Sequence, residues 1–310
     1  MEQELVKQLT LEEYKALQET ESWYKAEAGK LKKAFGLVKK PVDYLYNKVP
    51  ESIREKVAEA ILKVLNSVHE GSSSVVSVDK VYTRLEKYTG PLGNSPEFFK
   101  LKLRDLDRAT EEIVKSGKNK CTAEGAATGV AGLPGIVVDV PALYGLLFHT
   151  IQEIAIAYGY EVTTEFETSY IFKVLEVGHG SSREERMKGM EELARLDGKA
   201  ESETTRQVES MAIKHGLQSL ARRLARTLIT RKVSQSVVLV GGVIGAGVNR
   251  QLAGEVGATA QHAYRRRFLH DLARARQEGR AEAPASVSRE PKPTGPPAPK
   301  VRLPKPPSYD

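Results

Sequence analysis

Residues 121–160 read CTAEGAATGVAGLPGIVVDVPALYGLLFHTIQEIAIAYGY. Between Glu124 and Asp139 lie fourteen uncharged residues, with Gly125, Gly129, Gly132 and Gly135 at spacings of 4, 3 and 3. That is the spacing of one helical face. A glycine inside a helix costs about 1 kcal/mol relative to alanine, so four in register need an offsetting gain. Close approach of the backbone to another helix or to a ligand is the usual one. After Pro134 and Pro141, the residues Leu143, Leu146, Leu147, Ile151, Ile154 and Ala155 fall on one side. The segment reads as a helical hairpin bent near the prolines.

A second stretch, residues 233–257, VSQSVVLVGGVIGAGVNRQLAGEVG, repeats the feature. Gly241 and Gly245 form GxxxG, and Asn249, Ala253 and Gly257 continue small residues at every fourth position. Two small-residue helices in near backbone contact would explain both stretches. A bilayer span needs roughly 20 apolar residues to cover ~30 Å. The apolar core Val237–Val248 covers only about 18 Å as a helix, and Glu124 and Asp139 interrupt the first stretch. A buried helix pair in a bundle is favoured over insertion, with a shallow interfacial hairpin between the two readings.

Outward from these stretches the chain is helical. Leu9-Thr10-Leu11-Glu12-Glu13-Tyr14 offers Thr10 as cap, Glu13 reaching back to it, and Leu9 and Tyr14 as a staple. Pro50 suits a first helical position, and Ile53, Val57, Ile61, Val64, Leu65 and Val68 follow at spacings of 3 or 4. A shorter helix is expected over 75–88, one opening at Ser95-Pro96, and others over about 164–178, 183–196 and 200–231. Val75–Val78 and Ile136–Val140 are the β-branched runs, and neither has a hairpin partner nearby. An all-α multi-helix bundle is expected over residues 1–280, as a single domain. Residues 281–310 hold nine of the fifteen prolines and read as an extended, disordered tail. Its end, Pro306-Pro307-Ser308-Tyr309, matches the PPxY pattern read by WW-type grooves, so a tail-binding protein is one candidate partner.

The formal charge of +7 is unevenly spread. Residues 1–210 carry 29 Lys/Arg against 34 Asp/Glu, residues 211–280 carry 13 against 3, and the tail carries 5 against 3. The late excess attracts anionic surfaces. Within it, residues 213–232, IKHGLQSLARRLARTLITRK, place Leu217, Leu220, Leu224 and Leu228 on one face. Arg222, Arg223, Arg226 and Arg231 mostly populate the flanks and the opposite side. Such a helix binds anionic membranes, or else turns its leucines to the core and its arginines to water. Arg265, Arg266 and Arg267 form a second basic cluster, read as a wet face and as a candidate contact with an anionic surface. Nucleic acid is disfavoured because no reading motif accompanies the charge.

Chemistry is sparsely signalled. The lone Cys121 excludes an internal disulfide and any multi-cysteine zinc site, and fits a reducing compartment. The N-terminus MEQELVKQLTLEEYK shows no secretory apolar region. The six histidines include no HExxH, and His149 with Glu153, four apart, suggests a hydrogen bond more than a ligand pair. No cofactor or metal is expected. Glu124 and Asp139, bordering the glycines, are the best polar candidates, either facing a pocket or capping helix N-termini. With Gly125, Gly129, Tyr158 and Asn249 they form the candidate ligand or packing set.

At these stretches the sequence resembles the EcsC protein family. The matching pieces are Ala123-Glu124-Gly125, Thr128-Gly129, Gly132-Leu133, Asp139-Val140-Pro141, Ile154-Ala155 and Tyr158-Gly159-Tyr160. Near the end Gly245-Ala246-Gly247-Val248-Asn249 is followed by Ala263-Tyr264-Arg265-Arg266-Arg267. The likeness covers roughly residues 20–270, and Val237-Val238-Leu239-Val240 stands where the family pattern tends to have proline. The family's name comes from an operon that also encodes an ABC transporter. The resemblance therefore implies a role beside a membrane transport or secretion system and leaves the activity open, and a cytoplasmic protein peripheral on the inner face of the cell membrane is expected. A non-enzymatic peripheral membrane protein is the leading expectation. A hydrolase or lipid-handling enzyme using Glu124 and Asp139, and a soluble scaffold recruiting partners through its tail, are the alternatives.

Overall fold

A computed structural model describes residues 6–35, 42–71, 76–93, 96–128, 132–180, 183–197, 203–236 and 244–281. Among the described residues there are ten α-helices and no strand. They are α1 (Leu11–Phe35), α2 (Val42–Asn47), α3 (Glu51–His69), α4 (Val78–Thr89) and α5 (Leu103–Thr128). The others are α6 (Gly132–Ala157), α7 (Glu165–His179), α8 (Arg183–Leu196), α9 (Glu203–Ser236) and α10 (Ile244–Gln277). The β-branched run Ile136–Val140 lies inside α6, where burial of Ile136 and Val140 outweighs a small loss of helix propensity.

Local chemistry sets several boundaries. At the start of α1 the Glu13 amide donates to Thr10 Oγ1 at 3.2 Å, and the Thr10 amide donates to Glu13 Oε2 at 2.8 Å. The expected capping box is therefore formed, with Leu9 buried beside it. Thr164 caps α7 with its hydroxyl alone, accepting from the Glu167 amide at 3.1 Å. α6 runs on through Pro141 and stops at Gly159, whose φ of +89° favours glycine. A Cβ there would lie 2.6 Å from the Phe98 ring, so bulk is excluded as well. The helix expected to open at Ser95-Pro96 is a correction: only a single 3₁₀ turn, Phe98–Lys100, forms before α5. Phe98 is seated on Gly159 and Phe99 on Phe268, at 5.7 Å between ring centres, and these contacts hold the chain off a helical path.

α10 is the central rod, packed on α1, α5, α6, α7 and α9. Its antiparallel register with α5 is legible in successive pairs. Asn249 meets Glu124, Gly254 meets Lys118, Gly257 meets Val114, Gln261 meets Thr110 and Arg265 meets Asp107. The closest backbone approach seen at a glycine is Gly178 of α7 on α10, where an added Cβ would lie 2.7 Å from Val256 Cα. Gly178 lies outside both glycine-rich stretches.

The core is aromatic as well as aliphatic. Tyr144, Tyr158, Tyr170, Tyr264 and Phe268 are among its largest fully buried side chains. Each of the four tyrosines finds a partner for its hydroxyl: Tyr144 meets His179 Nε2 at 2.9 Å, Tyr158 donates to Asp107 at 2.6 Å, Tyr170 to Asp197 at 3.1 Å and Tyr264 to Glu167 at 2.5 Å. His149 lies 3.5 Å from Glu153, but Glu153 is also held by both of its oxygens on Arg84 at 3.1 Å, so the pair is part of a helix-to-helix tie.

Candidate functional site

Four helices converge on one buried polar centre. α5 brings Glu124 and Thr128, α6 brings Asp139, α9 brings Lys232 and α10 brings Asn249. Asn249 Nδ2 donates to Glu124 Oε2 at 3.0 Å and to Asp139 Oδ1 at 2.9 Å. Thr128 Oγ1 donates to Asp139 Oδ1 at 2.7 Å, and Lys232 Nζ pairs with Asp139 Oδ2. Asp139 and Asn249 have no exposed surface, Lys232 is buried, and Glu124 is half-buried at the edge.

The electrostatics follow from this geometry. Burial, together with the facing Asp139 carboxyl, pushes the Glu124 carboxyl up to about 8. Burial also opposes charge on Asp139, yet the hydrogen bond from Glu124 and the Lys232 ammonium hold it below the usual carboxylate range. Glu124 is thus biased toward its protonated form and Asp139 toward its charged form, so the two facing carboxyls need not carry two negative charges. A carboxylic acid at the edge can give up a proton, and the buried carboxylate behind it stabilises the acid form. Burial, with Glu124 and Asp139 nearby, pushes the Cys121 thiol up to about 12, so it is a packing group and a poor nucleophile. Among the described residues no three of His, Cys, Asp and Glu gather as a metal site.

A second polar chain continues inward from Arg231, the neighbour of Lys232. Its Nη1 lies 2.8 Å from Glu255 Oε2, which also takes Arg186 Nη2 at 2.7 Å. Arg231 Nη2 donates to the His179 carbonyl at 3.3 Å. Burial beside these two guanidinium groups holds the His179 imidazole far below its usual range, and therefore neutral.

Of the sequence-selected residues, Glu124, Asp139 and Asn249 come together, and Gly125 is buried close by. Gly129 and the stretch 237–243 lie outside the described residues. Tyr158 does not belong to the centre: it sits nineteen residues along from Asp139, about 28 Å up the helix axis, bonded to Asp107. Sequence reasoning misses Lys232 as a partner of Asp139, and marks Thr128 only through the Thr128-Gly129 family piece. The signal for Lys232 was its place four residues beyond Leu228, a cation in the row of core leucines.

The basic clusters divide. Arg222, Arg223 and Arg226 are exposed on α9, with Arg223 2.7 Å from Glu176 and Arg226 near the Tyr46 ring. Leu217, Leu220, Leu224 and Leu228 face the bundle. Arg265, Arg266 and Arg267 are not a wet face. Arg265 lies 2.5 Å from Asp107, Arg266 3.6 Å from Asp197, and Arg267 2.8 Å from Glu167. The Arg267 guanidinium also stacks on Tyr160 at 3.9 Å and Tyr170 at 4.8 Å. Carboxylates carried by α5, α7 and the end of α8 draw these three arginines inward, and their charge is spent inside the fold.

Directly behind the polar centre, α6 turns an uncharged face outward. Val138, Pro141, Ala142 and Gly145 are all exposed, Val138 at 70%. They fall at helical spacings of 3, 1 and 3, so they form one stripe. Beside it α3 presents the exposed Lys56 and Lys63. By length and composition Gly135–Ala157 is the one described helix apolar enough to cross a membrane, and 67% of its most apolar window is buried in the bundle.

The family model for the EcsC protein family matches residues 14–269, which takes in every residue of the centre. The chain is 27% identical over 231 residues to the uncharacterized protein YdbA of Bacillus subtilis (strain 168), covering 74% of this chain and 83% of that one. No solved structure matches it.

Proposed function

We propose, for a chain that belongs to the EcsC protein family, that the bundle is a peripheral membrane protein which docks on anionic lipid, without catalysis, as an accessory to a transport or secretion component. The observation that carries this reading is the outward stripe of α6, Val138, Pro141, Ala142 and Gly145, uncharged and bordered by lysines. A scattered exposed valine means little. A contiguous uncharged face beside cations is the pattern of an interfacial contact. The leucine row of α9 is not available for this role, because the core already covers it.

Lys56 and Lys63 on α3, with the exposed Arg222 on α9, supply the attraction, and Arg223 and Arg226 add less because they are engaged with Glu176 and Tyr46. Each basic group near an anionic surface is worth about 1 kcal/mol, and the apolar stripe adds shallow burial. The polar centre has a mechanical part: Lys232, Asn249 and Thr128 grip Asp139, and so hold the neighbouring Val138 outward. Flotation with vesicles of phosphatidylglycerol and of phosphatidylcholine tests the proposal. Binding to the anionic vesicles at low salt is expected, weakened by Val138→Asp and by added salt. No binding to anionic vesicles at low salt would remove it.

A further inference from the structure

A groove of about 640 Å³ runs between α3 and α6, alongside the outward stripe. Ala60 and Val64 of α3 and Val137, Pro141 and Gly145 of α6 line its floor. Lys56 and Lys63 stand at its α3 rim, seven residues and about 10 Å apart along the helix. Neither lysine makes an ion pair among the described residues, and neither does Glu59 between them. With two lysines against one glutamate the rim carries a net charge of one positive, which no ion pair among the described residues takes up.

Resting on the membrane reading above, we infer that this groove binds a single anionic phospholipid, with one acyl chain along the apolar floor and the phosphate between Lys56 and Lys63. The chemistry of the floor selects the occupant. A peptide strand or a loop would bury a run of N–H and C=O groups that need partners, and apart from the Ser67 hydroxyl and the Glu59 carboxylate at the rim the lining is Ala, Val, Pro and Gly, which offer none. A hydrocarbon chain has no such need. The two unpaired ammonium groups then choose an anionic headgroup over a zwitterionic one.

Gly145 makes the inference testable without disturbing the fold. A Cβ built there meets nothing within 4 Å, so Gly145→Leu fills the groove from inside a helix that gains propensity by the exchange. The probe is dihexanoyl phosphatidylglycerol below its micellar concentration, titrated calorimetrically into the full chain, with dihexanoyl phosphatidylcholine and inorganic phosphate as comparisons. Saturable binding of one phosphatidylglycerol per chain is expected, at least about tenfold weaker in Gly145→Leu, because the buried methylenes lose their site. Lys56→Gln/Lys63→Gln should erase the preference over phosphatidylcholine. Equal binding of the two lipids, competition by phosphate alone, or no effect of Gly145→Leu each overturns the inference. Anionic vesicles bound by a chain that takes up no monomeric lipid would sink the groove and leave the membrane reading standing. Monomeric lipid bound by a chain that ignores vesicles would do the reverse.

Discussion

Replacing Lys232 by methionine keeps the stem of the side chain, one atom shorter, and removes its charge from beside Asp139, which has no exposed surface. Breaking a buried ion pair by deleting one partner costs about 3–5 kcal/mol. The variant can limit that loss by protonating Asp139. From an ordinary value of about 3.9, taking up the proton at pH 7 costs about 1.4 kcal/mol per pH unit, or ~4 kcal/mol. For a domain of this size that lowers Tm by about 7 °C. In the wild type the Asp139 carboxyl is held below its usual range. Its contribution to stability is therefore present above pH ~4 and is lost as pH falls through the folded value. The gap between wild type and variant should accordingly shrink to about 1.5 kcal/mol at pH 5. The double variant Asp139→Asn/Lys232→Met, which leaves no orphaned charge, should recover most of the loss. Thermal unfolding at pH 5 and pH 7 measures all of this. A single variant that loses less than about 1 kcal/mol at pH 7, or loses the same amount at both pH values, refutes the argument that this pair is dry and charge-matched.

Glu124, raised to about 8 in the fold from 4.5, stabilises the protein fully below its ordinary value and ceases to do so as pH rises through 8. Wild type should therefore lose Tm between pH 6 and pH 9 more steeply than Glu124→Gln, and parallel profiles would contradict the raised Glu124 carboxyl. Two glycines of the bundle should respond oppositely to alanine. Gly178→Ala drives a Cβ to 2.7 Å from the Val256 backbone, and overpacking of about 1–3 kcal/mol outweighs a propensity gain of about 1 kcal/mol. Gly254→Ala meets only the far end of Lys118 at 3.4 Å and should stabilise by up to about 1 kcal/mol. Urea unfolding of the pair decides it, and a stabilised Gly178→Ala would show that the α7–α10 contact has slack.

Most of the fold was legible because helix signals are local. The Thr10 cap with Glu13, the apolar spacing after Pro50, and the segments near 164–178 and 183–196 all lie within a turn or two of the boundary they set. The start near Ser95-Pro96 misled because Phe98 and Phe99 are held by Gly159 and Phe268, partners that are distant in sequence. The site was half legible for the same reason. Glu124 and Asp139 are marked by the uncharged run between them, and Asn249 by its place in the small-residue row. Tyr158 shares a family motif with them but faces Asp107 at the other end of α6. Arg265, Arg266 and Arg267 looked wet because their partners, Asp107, Asp197 and Glu167, are scattered over three parts of the chain. Composition counts charges without pairing them.

Val138 and Asp139 are adjacent residues that face opposite media: one lies in the open and the other is gripped by three side chains. A turn of α6 about its own axis by one residue's worth, about 100°, would swing the carboxylate out of its grip and bury the valine in a polar socket. The azimuth of this helix is therefore keyed like a shaft in a slot. Whatever meets its outer flank meets a fixed facet, and any rearrangement of the bundle must slide or tilt that rod, because rolling it is barred.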